Sequence, residues 1–143
     1  MENYRKELAF YRLEKAKEHL SSASDLFHSN HLIDSISRSY YAIFTAARAI
    51  LALKELDSSK HSGVISFFNQ YIIKTGILDV ELSKIIQEAK NYREKADYAD
   101  YFVIEREVAK KQLENARVFI DKTEKKIQML CRDDELKEKA QSG

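Results

Sequence analysis

The sequence predicts an all-α protein, an up-down bundle of four main helices plus one short helix. Three observations carry this reading. The 143 residues contain no proline and only three glycines, so few positions break a helix. Apolar residues recur at steps of three and four through most of the chain, and no segment alternates with the period of a strand. Hydrophobic residues at 44% beside charged residues at 33% fit amphipathic helices around one core, in a chain long enough to bury it.

The first helix is expected over about 4–27, where Leu13, Ala16, Leu20, Ala23 and Phe27 share a face. Ser29-Asn30 interrupts it, and Asn30 is the expected N-cap of the next segment. That second helix, about 31–55, has Ile33, Ile36, Tyr40, Ile43, Ala47 and Ile50 on one face and Ala42, Ala46, Ala49 and Leu53 on another. Two apolar faces mark a central helix packed on both flanks, with small alanines admitting close neighbours. Asp57-Ser58-Ser59 supplies turn and capping chemistry before a short helix at about 60–74, which closes with Lys74-Thr75-Gly76, a basic last turn followed by glycine. Asp79 is the expected cap of a fourth helix whose face is Leu82, Ile85, Ile86, Ala89, Tyr92 and Ala96. Its pattern weakens over 97–101, read as a helix end or turn. The last helix, about 103–131, carries Ala109, Leu113, Ala116, Ile120, Thr123, Ile127 and Leu130 in a coiled-coil-like seam. The reading is one domain over 1–131 and a charged, fraying tail over 132–143.

The formal net charge of +1 provides no general drive toward nucleic acid or anionic lipid, so any such contact has to come from a local patch. A single cysteine, Cys131, excludes an internal disulfide and a cysteine-based zinc site; it reads as a packing residue. The longest apolar stretch, 42–53, is interrupted by Thr45 and Arg48 and is too short to span a bilayer, and the start of the chain is charged. A cytoplasmic protein that does not engage a membrane is the expectation. His28 and His31 are separated by a helix break, which removes the geometry of a metal pair even with Asp34 nearby. The glycines are isolated, so no phosphate-cradling loop exists. His61 and Ser62 are sequence neighbours, which on a helix do not face each other. The histidines therefore read as surface or capping residues, and no metal or cofactor is implied.

The densest polar cluster is 91–102, Asn-Tyr-Arg-Glu-Lys-Ala-Asp-Tyr-Ala-Asp-Tyr-Phe. In a helix Arg93 and Asp97 lie on one face at i,i+4, and Tyr101 follows one turn later if the helix continues. Tyr40 and Tyr41 on the central helix, with Tyr92, Tyr98 and Tyr101 near the cluster, serve either as packed rings with one satisfied hydroxyl or as platforms that stack bases while Arg38 and Arg93 hold phosphate.

These residues resemble a known family. Ser37-Arg-Ser-Tyr-Tyr-Ala-Ile-Phe-Thr-Ala-Ala-Arg-Ala-Ile-Leu51 is similar to the second helix of HEPN domains. His61-Ser-Gly-Val-Ile-Ser-Phe-Phe, Lys74-Thr-Gly and Tyr92-Arg-Glu-Lys-Ala-Asp-Tyr98 follow in the order of one prokaryotic HEPN subfamily, a likeness over about 5–130. The resemblance implies a helical bundle that forms a homodimer with the polar motif near the dimer cleft. It also implies metal-independent ribonucleases, or toxins paired with a minimal nucleotidyltransferase. The family's catalytic signature is an arginine, four to six residues, then a histidine. Arg93 matches the arginine, but Tyr98, Ala99 and Asp100 occupy the histidine positions. RNA cleavage through the 2′-hydroxyl needs a group that exchanges protons near neutral pH, which histidine supplies and an unperturbed tyrosine, pKa about 10, does not. Asp97 or Asp100 would need a raised pKa to substitute. In toxin relatives a tyrosine two residues after the histidine accepts adenylyl groups; that register falls on Asp100, leaving Tyr98 and Tyr101 out of register.

The sequence thus leads to a dimeric nucleotide- or RNA-binding HEPN partner of a minimal nucleotidyltransferase in a toxin–antitoxin-type module. Arg93, Tyr98, Tyr101, Arg38 and Tyr41 are its ligand-binding candidates. The alternatives are a ribonuclease with a variant site of Arg93 with Asp97 or Asp100, and a structural interaction protein in which Arg93–Asp97 is only an ion pair.

Overall fold

The computed structural model describes residues 3–98 and 100–142. Ala99 and the chain ends at 1–2 and 143 lie outside the described residues, and with Ala99 one of the three positions for the family's histidine. The elements are α1 (Asn3–His28), α2 (Leu32–Ala52), α3 (His61–Phe68), α4 (Val80–Tyr98) and α5 (Arg106–Ser142), and α3 runs on into a wide π turn over Asn69–Ile73. Among the described residues there is no strand, and the expected all-α bundle of four main helices and one short helix is what forms.

α2 is the central helix, packed against α1, α3, α4 and α5. Both of its apolar faces are used: Ile36, Tyr40, Ile43, Ala47 and Ile50 are buried, and so are Ala42, Ala46, Ala49 and Leu53. Ile33, at the start of the helix, is 39% exposed and stands outside the core. Leu13, Ala16, Ala23 and Phe27 of α1 and Leu82, Ile85, Ile86 and Ala89 of α4 are buried as their spacing requires. The α5 seam holds through Ile127, with Thr123 buried inside it; at its end Cys131, not Leu130, enters the core. Phe119 beside the seam lies 5.4 Å from Phe68, ring centroid to centroid, and joins α5 to α3.

The helix ends differ from expectation in instructive ways. Asn30 does not cap α2. It adopts a left-handed φ of 63°, and the amides of Asn30 and His31 bond back to the carbonyls of Phe27 and Leu26. That pair of bonds closes the C-terminus of α1, a role asparagine fills because it tolerates the left-handed region better than most residues. Glu55, with φ 56°, closes α2 the same way through the amides of Glu55 and Leu56. At the end of the π turn, Gly76 at φ 79° supplies the expected glycine stop. α5 begins at Arg106 rather than near 103 and continues past Cys131 to Ser142. Nothing after Arg132 breaks a helix, and Lys6 of α1 pairs with Asp134 at 3.3 Å.

Polar contacts tie the bundle at its surface. Lys17 of α1 pairs with Glu124 of α5, and Lys122 of α5 with Glu81 of α4 at 2.9 Å. Asp57, in the link to α3, accepts from Arg12 of α1 at 3.1 Å and Arg48 of α2 at 3.0 Å. Burial works to raise the Asp57 pKa, but the hydrogen bonds from Arg48 and the Ser58 amide outweigh it and hold the carboxyl below its usual value. This knot fixes the chain immediately before α3, and so fixes where α3 starts.

Candidate functional site

Arg93 and Asp97 form the expected i,i+4 pair on α4, with Nε 3.3 Å from Oδ2. The pair is not the whole arrangement. The Arg93 guanidinium carbon also lies 5.3 Å from the ring centroids of both Tyr40 and Tyr41, so α4 lays its arginine across two consecutive tyrosines of α2. A guanidinium over tyrosine faces is attracted by the rings' negative quadrupole. Arg93 stays partly exposed, its side chain 25% accessible, while Tyr40 is fully buried.

The start of α3 completes the cluster from the other side. The His61 ring stacks on Phe44 with centroids 4.1 Å apart and lies 5.9 Å from Tyr40. The Tyr40 hydroxyl and His61 Nδ1 are 2.9 Å apart, a hydrogen bond whose direction follows the tautomer. Tyr41 meets His61 edge-on at 6.1 Å. Burial, then the charges of Arg93 and Arg48, hold the His61 pKa below its ordinary value, so the ring is neutral at pH 7. Burial also pushes the Tyr40 hydroxyl up to about 12, against the pull of Arg93.

On the far side of Tyr41, His19 of α1 lies 6.1 Å from its ring and 3.1 Å from Nη1 of Arg38. Arginine only donates, so His19 Nδ1 is the acceptor. Burial and the Arg38 charge lower the His19 pKa. The row Arg38, His19, Tyr41, Arg93, Tyr40, His61 therefore gathers groups from α1, α2, α3 and α4.

Of the residues singled out from sequence, Arg93, Asp97, Arg38 and Tyr41 belong to this row. Tyr98 and Tyr101 do not: neither ring contacts Arg93. Helix α4 stops at Tyr98, which is 83% exposed, and Tyr101 follows in a turn with φ 59° and 99% exposure instead of continuing the helical face. Asp100 lies in the same turn, exposed. Sequence reasoning missed His61 and His19. The one available signal was their spacing from aromatic residues on other helices, which periodicity does not report. Among the described residues no group of three or more His, Cys, Asp or Glu side chains comes together to hold a metal ion, and no helix is long and apolar enough to cross a membrane.

Comparison with known proteins follows the same boundaries. The HEPN domain model matches residues 9–127. A Methanocaldococcus jannaschii protein described as a candidate toxin is 41% identical over 113 residues, which is 79% of this chain and 77% of that protein. A second candidate toxin of the same organism is 37% identical over 80% of this chain and 85% of its own length. A UPF0332 protein of Thermotoga maritima is 35% identical over 130 residues, 91% of this chain and 98% of that protein.

Proposed function

This chain belongs to the HEPN family, and on that premise we propose that it is the nucleotide- or RNA-binding component of a toxin–antitoxin-type module, acting as a homodimer with a minimal nucleotidyltransferase as its partner. The observation that carries the reading is the seating of Arg93 across Tyr40 and Tyr41. A planar guanidinium with donors on its edge suits bidentate contact with phosphate. Rings beside it offer faces on which an unpaired base stacks, and such stacking supports sequence-tolerant single-strand binding. Arg38 is a second exposed cation at the other end of the row, close enough in the fold to follow a strand's backbone. The toxin part of the proposal is supported by the names of the two Methanocaldococcus relatives.

The cluster favours recognition over a purely structural role for one physical reason. An ion pair that served only stability would need neither the two tyrosine faces nor a neutral histidine at its back. The test is fluorescence anisotropy with a labelled single-stranded RNA and, separately, with ATP, at low and moderate salt. Binding that weakens at least tenfold in Arg93→Ala, and weakens with salt as phosphate contacts do, fits the proposal. A monomer that binds neither ligand and does not co-purify with the nucleotidyltransferase encoded beside it overturns it.

A further inference from the structure

The family's arginine-to-histidine spacing leaves Arg93 without a histidine on its own helix, yet the fold brings one to it from another. We infer that His61 is the proton acceptor of the Arg93 site, and that together they cleave RNA through its 2′-hydroxyl without a metal. The inference rests on the reading that the Arg93 site binds RNA and adds a chemical step to it.

The geometry supports the assignment at three points. His61 and Arg93 flank the same side chain: Arg93 lies over the Tyr40 ring and His61 Nδ1 meets the Tyr40 hydroxyl at 2.9 Å. A phosphate held by the guanidinium therefore sits beside the imidazole. Stacking on Phe44 and the bond to buried Tyr40 fix the plane of the ring, making Tyr40 a positioning residue. His61 Nε2 has no hydrogen-bond partner among the described residues, and the side chain is only partly buried. With Nδ1–H donating to the Tyr40 oxygen, the free lone pair is on Nε2, the arrangement by which a neighbouring group sets which nitrogen of a histidine acts as base.

The step balances without a redox partner. The 2′-hydroxyl proton passes to Nε2 as the oxygen's electron pair forms the bond to the adjacent phosphorus. Arg93 holds the charge that gathers on the phosphoryl oxygens. The bond from phosphorus to the 5′-oxygen breaks, that oxygen takes a proton from water, and the hydroxide so formed removes the proton from His61. The products are a 2′,3′-cyclic phosphate and a 5′-hydroxyl end. The groups facing His61 are Tyr40, Tyr41, Phe44 and Arg48 of α2 and Arg93 of α4. The positive charges of Arg93 and Arg48 keep it neutral while the site is empty, and an arriving phosphate offsets Arg93 and makes the imidazole a stronger base when it is needed.

The experiment incubates the full chain with a mixed-sequence single-stranded RNA in EDTA, and measures binding to the 2′-O-methyl analogue, which cannot react this way. The wild type is expected to leave 2′,3′-cyclic ends. His61→Gln, which keeps a side chain able to bond Tyr40, is expected to lose cleavage by about 10²-fold or more while still binding the analogue, whereas Arg93→Ala loses both. A wild-type rate that falls on the acid side, below about pH 6.5, is the second readout and needs no variant. Circular dichroism confirms that the variants fold. Binding without cleavage, or unchanged cleavage by His61→Gln, overturns the role of His61 and leaves the binding reading standing. Absence of binding by the wild type overturns both.

Discussion

Arg93 lies over Tyr40, its guanidinium carbon 5.3 Å from the ring centroid, although Tyr40 itself is fully buried. The contact marks where the interior of the bundle opens to solvent: α2 provides the floor and α4 the cation above it. Arg93→Ala removes two cation–π contacts, each about 0.5–1 kcal/mol at such sites, and a partly exposed ion pair contributing about 0–1 kcal/mol. The expected loss is about 1–2 kcal/mol in urea unfolding. Arg93→Lys keeps the charge but not the planar face, and falls between alanine and wild type in both stability and RNA affinity.

His61 and His19 both have pKa values held below the ordinary histidine value, by burial first and by neighbouring arginines second. A lowered folded pKa means that the unfolded chain takes up protons first as pH falls, so stability is fully present above about pH 6.5 and declines below it. Asp57, also lowered, adds a further loss only in the acid range below its ordinary value of 3.8. The thermal midpoint is therefore expected to drop between about pH 7 and pH 5. The slope flattens in His61→Gln and flattens further when His19→Gln is added; an unchanged slope in the double variant excludes these two histidines as its source.

Tyr40→Phe tests the buried hydroxyl. It removes the bond to His61 without opening a cavity, at an expected cost of about 1 kcal/mol, against about 3–5 kcal/mol for truncation to alanine. Ultraviolet titration of the wild type is expected to show a late ionisation near 12, beyond the ordinary tyrosine value of about 10, and Tyr40→Phe loses that component. The NMR titration of His61 also shifts in the variant, because its Nδ1 partner has gone.

The bundle was legible because its code is local. The spacing of Leu13, Ala16, Ala23 and Phe27, or of Leu82, Ile86 and Ala89, reports a buried face whatever packs on it. The Arg93–Asp97 pair was legible for the same reason, being one helix's own geometry. His61 was not, because nothing near it in sequence announces Tyr40, Phe44 or Arg93; its environment exists only once α2, α3 and α4 have packed. Asn30 misled because the same residue type caps a helix start and closes a helix end, and only the left-handed φ decides between them. The π turn after Phe68 lies in a run whose apolar spacing reads as ordinary helix.

Gly63 links the scaffold to the site, and Gly63→Ala is expected to disturb both. A Cβ there would approach Ser58 Cβ to 2.8 Å, closer than real side chains come. Ser58 has little room to retreat. Its hydroxyl accepts from the Lys60 amide at 3.2 Å, its own amide donates to Asp57 at 2.8 Å, and Asp57 is held by Arg12 and Arg48. The strain has to move the first turn of α3, where His61 sits, at a cost of about 1–3 kcal/mol as for other overpacked contacts. Gly76→Ala provides the contrast. No atom would meet its Cβ, and the cost, about 1–2 kcal/mol, comes from the left-handed φ of 79° alone. Both variants lower the thermal midpoint, but only Gly63→Ala is expected to shift the His61 ring resonances and weaken RNA binding. Equal effects of the two variants on RNA binding would mean that the start of α3 does not set the geometry of the Arg93 site.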